Sequence, residues 1–199
     1  VESDGKIVTY KPLQYTTYTN LDGYWSVMSN ISYGLPIGFL SSNLNVNLGV
    51  NYSETPTLID LKKNVASTIG YNGGLVLGSN ISEYVDFTLS WNGNYFESKN
   101  SLAKGGGANR YFNHTASADM KFTFLGGFTF TASAAYNQYV GYTNDYNESY
   151  VLCNAFLGHK LFKNQLGEVL LGINDIFDQN TAFSRTSGSG YTQNMWNSV

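Results

Sequence analysis

Leu40-Ser41-Ser42-Asn43-Leu44-Asn45-Val46-Asn47-Leu48-Gly49-Val50-Asn51-Tyr52 is the stretch whose reading decides the fold. In an extended chain successive side chains point to opposite faces. Leu40, Leu44, Val46, Leu48, Val50 and Tyr52 then share one face. Ser41, Asn43, Asn45, Asn47, Gly49 and Asn51 share the other, and only Ser42 breaks the apolar set. The spacing predicts a strand over 39–52 with one apolar and one small-polar face.

The same period recurs outward from this stretch. In 84–95, Val85, Phe87, Leu89, Trp91 and Tyr95 oppose Asp86, Thr88, Ser90, Asn92 and Asn94. In 112–124, Phe112, Ala116, Ala118, Met120, Phe122 and Phe124 oppose Asn113, Thr115, Ser117, Asp119, Lys121 and Thr123. In 127–137, Phe128, Phe130, Ala132, Ala134 and Tyr136 oppose Thr129, Thr131, Ser133 and Asn137. Segments 24–33, 63–77, 149–162 and 167–177 read the same way, and 5–18 is a further expected strand. The runs are about 10–16 residues long, whereas strands of soluble proteins average about 5–6. A tilted strand needs about 9–11 residues to cross a bilayer.

Composition points in the same direction. Charged residues make up 13 % of the 199, against about 25 % in a soluble domain. Aromatics reach 16 %, with 16 Tyr and 12 Phe, and the formal net charge is −3. A lipid-facing barrel surface excludes charge, which costs about 2–4 kcal/mol at the bilayer midplane. Mean hydropathy is slightly negative, as expected when polar residues interleave with apolar ones. No apolar run is long enough for a transmembrane helix. The start, Val1-Glu2-Ser3-Asp4-Gly5, carries no signal-peptide pattern, which fits a mature product or an internal piece. Mild acidity without basic runs argues against a nucleic-acid partner.

Connections of two lengths alternate. Tight turns are expected at Leu35-Pro36-Ile37-Gly38, around Gly78-Ser79-Asn80, at Leu125-Gly126-Gly127 and at Lys163–Gly167. Longer polar loops are expected at 53–62, 98–109, 141–148 and 178–190. Outer-membrane barrels alternate short periplasmic turns with longer extracellular loops in this way. Aromatics near strand ends fit two interfacial girdles: Tyr10, Tyr15, Tyr18, Tyr24 and Trp25; Tyr52; Tyr95 and Phe96; Tyr111 and Phe112; Tyr139 and Tyr142; Tyr146 and Tyr150. The fold class that follows is all-β, an antiparallel up-and-down transmembrane barrel in one continuous sheet.

Chemistry-bearing residues are sparse. His114 and His159 lack companion ligands at metal-site spacing. Cys153 shares an apolar face with Val151, Ala155 and Leu157 and reads as a packing thiol. Asn174, Asp175, Asp178 and Asn180 lack the spacing of a calcium loop, and their side chains suit the backbone groups of a turn. Arg185 is expected to pair with an acid. Gly105-Gly106-Gly107 has no strand–helix context for phosphate binding. The Asn-x-Ser/Thr triplets at Asn30, Asn51, Asn80, Asn113 and Asn147 follow from a composition rich in these residues. Asp86, Asp119 and Lys121 lie on polar faces and are expected to point into a lumen. No catalytic, metal or cofactor residues are assigned, no cofactor is expected, and the ligand-binding residues remain unassigned.

The C-terminal stretch carries a resemblance. Phe156-Leu157-Gly158-His159-Lys160-Leu161-Phe162-Lys163-Asn164 leads through Gln165-Leu166-Gly167-Glu168-Val169-Leu170-Leu171 to Gly172-Ile173-Asn174-Asp175-Ile176-Phe177-Asp178-Gln179-Asn180 and Phe183-Ser184-Arg185. It resembles the end of the Bacteroidota outer-membrane β-barrel family associated with TonB-dependent receptors, with Asp178 where that family usually has Asn. The resemblance implies a barrel of roughly 20–22 strands. About nine or ten would lie here, with residues 1–199 forming the C-terminal section and the plug and closing strand absent. An open sheet is therefore expected.

The function implied is the barrel part of a TonB-dependent-receptor-like importer for nutrient uptake in the outer membrane of a Gram-negative bacterium. Its implied partners are outer-membrane lipid, the plug and remaining strands, a TonB-type energy-coupling protein and a surface lipoprotein. The alternatives are a passive porin, a secretion-system or surface-anchoring barrel, or a soluble β-sandwich adhesin or lectin. An enzyme is not expected, since no nucleophile elbow or triad spacing is present.

Overall fold

The computed structural model describes residues 19–80, 82, 84–102, 108–124, 126–141, 147–162, 166–179, 182–188 and 191–197. The strand expected over 5–18, and with it Tyr10, Tyr15 and Tyr18, lies outside the described residues.

Ten strands are described: β1 (Trp25–Ile37), β2 (Ser42–Ile59), β3 (Lys62–Asn80), β4 (Val85–Asn100), β5 (Asn109–Thr123), β6 (Phe128–Gly141), β7 (Glu148–Leu161), β8 (Gly167–Ile173), β9 (Ala182–Gly188) and β10 (Tyr191–Asn197). The first eight form one antiparallel sheet in strict chain order, β1-β2-β3-β4-β5-β6-β7-β8. This is the expected up-and-down topology, and among the described residues the sheet does not close. The expectation of a single continuous sheet needs one correction. β9, which falls inside the loop expected at 178–190, pairs with β10 as a separate two-stranded sheet.

Register sorts the two faces. Leu35, Leu44, Leu77, Leu89, Ala118, Ala134 and Cys153 follow one another across seven strands as direct partners. The next row toward the long-loop end reads Tyr33, Val46, Leu75, Trp91, Ala116, Tyr136 and Val151. A slip of one residue would turn every such side chain to the other face, so the alternation itself fixes the register. The apolar band runs from Val85 to Tyr95 on β4 and from Phe112 to Phe122 on β5. It is about 11 residues tall, the length a tilted strand needs for a bilayer. The sheet has almost no interior, with Ala66 the one buried apolar residue among those described. Large apolar side chains stand exposed instead, including Ile31, Leu48, Leu89 and Leu171.

β2 and β3, of 18 and 19 residues, overshoot that band at one end only. The segment 53–62, expected as a loop, is strand joined by the two-residue turn Asp60-Leu61. Both turn residues have positive φ (48° and 61°), the type I′ geometry that matches strand twist. Pro56 is accommodated because β1 begins at Trp25, opposite Glu54, leaving β2 beyond that point paired on one side among the described residues. The hairpin is tied to the β4–β5 connection through Asn64, whose side chain is fully buried. Its Nδ2 donates to Thr57 Oγ1 (3.2 Å) and Asn100 Oδ1 (3.1 Å). Its Oδ1 accepts from the Ser101 hydroxyl (3.3 Å) and the Leu102 N–H (3.2 Å), so all four hydrogen-bonding positions of the amide are used.

At the opposite end the connections are short. β1 continues through Pro36 to Ile37, and a 3-10 turn, Gly38–Leu40, followed by Ser41 in the left-handed region makes the reversal. Gly78 and Ser79 are strand rather than turn, and the reversal lies beyond Asn80. Gly126-Gly127 turns as expected, with φ of 88° and 85°.

Candidate functional site

The polar face is built from asparagine and aromatic rows that no single strand reveals. Asn30, Gly49, Asn72, Asn94, Asn113, Tyr139 and Glu148 are successive partners from β1 to β7. Beside them run Ser32, Asn47, Gly74, Asn92, Thr115, Asn137 and Tyr150. Asn94 Nδ2 donates to Asn113 Oδ1 (3.0 Å), and the Thr115 hydroxyl donates to Asn137 Oδ1 (2.8 Å). The Asn30 and Asn72 amides both lie over Gly49, where the missing Cβ makes room for them.

Above these rows, toward the long-loop end, Phe96 stacks on Tyr111 with ring centroids 4.7 Å apart and planes 21° from parallel. Phe96 also leans over Gly70, where a Cβ would collide with the ring. Tyr139 and Tyr150 are joined by a hydrogen bond between their side chains. These four aromatics correct the sequence reading, which assigned them to interfacial girdles. They share the polar face, while Trp25, Tyr52, Tyr71, Tyr95 and Phe112 occupy the apolar one. The parity of the residue number within each strand is the signal that separates the two groups. Toward the tight-turn end, Asp86 stands opposite Lys121, and Thr88 opposite Asp119. With Thr131 they line a shallow depression, so these three charged residues share the polar face as expected.

The apolar face has its own boundary and several polar interruptions. Trp25 and Tyr52 pack with centroids 5.1 Å apart, and both donate to Glu54, at 3.0 Å and 2.8 Å. Next to that level, Glu97 binds Lys99 and Arg110 at 2.9 Å each. Charge thus returns immediately beyond the aromatic row. Just inside the row, His114 stands on the apolar face, which the sequence pattern had passed over. Its Nε2 is 3.0 Å from Gln138 Oε1, and its Nδ1 is buried without a hydrogen-bond partner. The Trp91, Phe112 and Tyr136 rings surround it with centroids 5.4–6.4 Å away. His159 also faces the apolar side, edge-on to Phe128 at 4.3 Å. Cys153 is a free thiol directly opposite Ala134.

The polar box at 174–179 is tied to backbone groups. β8 stops pairing with β7 at Ala155, and the box covers the edge of β7 beyond. The Ile176 N–H donates to the Cys153 carbonyl (2.9 Å), and the Asp175 N–H to Asn154 Oδ1 (2.9 Å). The Val151 N–H donates to Gln179 Oε1 (2.8 Å), and Asp175 Oδ1 takes the Gln179 N–H (3.0 Å). Asp175 and Asp178 both adopt positive φ, tolerated best by Asp and Asn among side chains with a Cβ. Gly105-Gly106-Gly107, Asn180 and the Arg185 side chain lie outside the described residues, and with them the expected Arg185 ion pair.

An ordered up-and-down sheet, a bilayer-high apolar band and a small-polar opposite face together define the wall of a transmembrane β-barrel. The chain belongs to the outer membrane protein beta-barrel family, whose family model matches residues 50–199. That match extends well upstream of the C-terminal resemblance and places the chain in the outer membrane. Lipid excludes polar and charged side chains, so the apolar face belongs against lipid and the asparagine rows against the lumen. Outer-membrane barrels turn their short connections to the periplasm and their longer ones outward, the sidedness expected of the tight-turn end and of the β2–β3 hairpin here. No curated protein and no solved structure matches the chain.

Proposed function

We propose that this wall belongs to a TonB-dependent-receptor-like importer of the Bacteroidota type, which takes up a nutrient across the outer membrane and performs no chemistry on it. The observation that carries this reading is the 156–185 segment. Its resemblance to the receptor-associated barrels includes the box whose Asp175–Gln179 part caps the β7 edge. In such an importer a plug occupies the lumen, a periplasmic energy-coupling protein pulls on it, and a surface lipoprotein can assist capture. Among the described residues β1 and β8 are each paired on one side only, which supports a larger barrel, because unpaired strand edges find no hydrogen-bonding partner in lipid.

Uptake in the native host tests the reading. Cells carrying the gene should accumulate a nutrient that deletion cells do not, and collapse of the proton-motive force should abolish the difference. Uptake that persists after the collapse would identify a passive porin instead.

A further inference from the structure

We infer that Lys99 and Arg110, gathered on Glu97 at the long-loop rim of the lipid-facing side, bind the phosphate of an anionic membrane lipid whose acyl chains lie on the apolar rows beneath. The inference concerns the outside of the wall and holds whatever the barrel transports. Three features carry it.

First, the cluster places positive charge outermost. Glu97 Oε1 holds Lys99 Nζ at 2.9 Å, and Oε2 accepts from Arg110 Nε at 2.9 Å and from the Tyr95 hydroxyl at 3.4 Å. The Glu97 side chain is 17 % exposed, against 62 % for Lys99 and 63 % for Arg110. A covered carboxylate therefore gathers two exposed cations and leaves one positive charge in excess. Arg110 engages Glu97 through Nε. Its two terminal amino groups are left to hold a second anion in the forked way a guanidinium holds phosphate.

Second, the cluster sits at headgroup depth. Glu97 stands opposite Arg110, one row beyond the Tyr95–Phe112 pair on the same face. Those two rings close the apolar band, and the aromatic residues of a barrel mark the level of the lipid headgroups. A lipid that lays its chains on Trp91, Tyr95 and Phe112 brings its phosphate beside the two cations. A free phosphate ion gains nothing from those rings, so the site suits a lipid.

Third, the rim is not uniformly basic. On β2, Glu54 accepts from Trp25 Nε1 and the Tyr52 hydroxyl, and no cation binds it among the described residues. That part of the rim repels an anionic headgroup. The attraction centres on β4 and β5, as a site rather than a belt.

The test uses the full-length protein in neutral detergent and native mass spectrometry. Dioleoylphosphatidate is titrated as the anionic probe, and dioleoylphosphatidylcholine supplies the same chains under a zwitterionic head. Inorganic phosphate serves as competitor. Phosphatidate should be retained well above phosphatidylcholine, and inorganic phosphate at matched concentration should not displace it. Lys99→Gln and Arg110→Gln should each weaken phosphatidate binding about fivefold, the contribution of one basic residue near an anionic membrane surface. Lys62→Gln removes the same charge from the other face of the sheet, on β3, and should leave binding unchanged. Heat-modifiable gel mobility reports folding for all three, and either rim variant suffices if the other does not fold. The inference is overturned if phosphatidylcholine binds equally, if inorganic phosphate displaces the lipid, or if the folded rim variants bind like the parent. It is also overturned if Lys62→Gln weakens binding as much as they do, since net charge alone would then account for the attraction.

Discussion

Strands β4 and β5 present two surfaces on one backbone. Toward lipid they show Leu89, Trp91, Tyr95, Phe112, Ala116 and Ala118; toward the lumen, Ser90, Asn92, Asn94, Asn113, Thr115 and Ser117. The ladder of backbone hydrogen bonds is common to both, so the difference between the faces lies wholly in what each side chain is exchanged against. On one side that is hydrocarbon, where a polar atom must find a partner within the protein. On the other it is water or cargo, where polar atoms can be left available. The largest expected effect breaks this contrast directly. Leu89→Arg places a charge inside the apolar band and should destabilise the full-length barrel by about 2–4 kcal/mol. Ser90→Arg, one residue away and facing the lumen, should leave the unfolding midpoint nearly unchanged and alter solute passage instead. Urea unfolding in lipid vesicles, followed by heat-modifiable mobility, measures both. Equal midpoint losses would mean that the faces are assigned wrongly.

A smaller effect tests how tightly the lipid face is packed. Trp91 lies over Gly93, and a Cβ there would come within 2.7 Å of the indole. Gly93→Val should force the indole away and cost about 1–3 kcal/mol, the usual range for overpacking. The loss should be accompanied by a shift in Trp91 fluorescence. A variant as stable as the parent with an unchanged spectrum would contradict the packing.

His114 and Gln138 test the rule that polar atoms in the band must pair. His114→Leu alone leaves the Gln138 amide without its partner and should cost of order 1 kcal/mol. The double substitution His114→Leu with Gln138→Leu removes both members of the pair and should recover most of that loss, because two apolar side chains have nothing left to satisfy. A double-mutant cycle in which the two losses simply add would show that the 3.0 Å contact carries no coupling.

How much of this was readable beforehand depends on whether the feature lives within a strand or between strands. The two faces were readable from Leu44-Asn45-Val46-Asn47-Leu48 alone, because alternation acts along the chain. The Asp60-Leu61 reversal was not. It has neither the Asn-Gly nor the Asp-Gly signal of a type I′ turn, so the polar residues of 53–62 read as a loop. Phe96, Tyr111, Tyr139 and Tyr150 were misassigned because closeness to a strand end was given more weight than parity within the strand. The asparagine rows depend on register across seven strands and the Asn64 node on register across three, which no single segment encodes. His114 was visible on the apolar face by parity, but a single polar residue in an apolar series carries little weight until its Gln138 partner on the next strand is known.

The smallest expected effect lies where the two faces cease to differ. Beyond the Tyr71–Tyr95 contact (6.2 Å) the lipid-side surface carries Glu97, Lys99 and Arg110, with the Lys99 and Arg110 side chains more than half exposed. Ion pairs in that setting gain little from each other, because water and salt screen them and holding long side chains in place costs entropy. Glu97→Gln should therefore shift the unfolding midpoint by no more than experimental error at moderate salt. It leaves two cations without their shared carboxylate at the outer rim. Binding of the folded barrel to vesicles bearing anionic headgroups should consequently strengthen, and the gain should fade as salt rises. If Glu97→Gln instead destabilised the barrel as much as Gly93→Val, position 97 would lie inside the apolar band. The boundary of that band would then have to move outward from the aromatic row toward the β2–β3 hairpin.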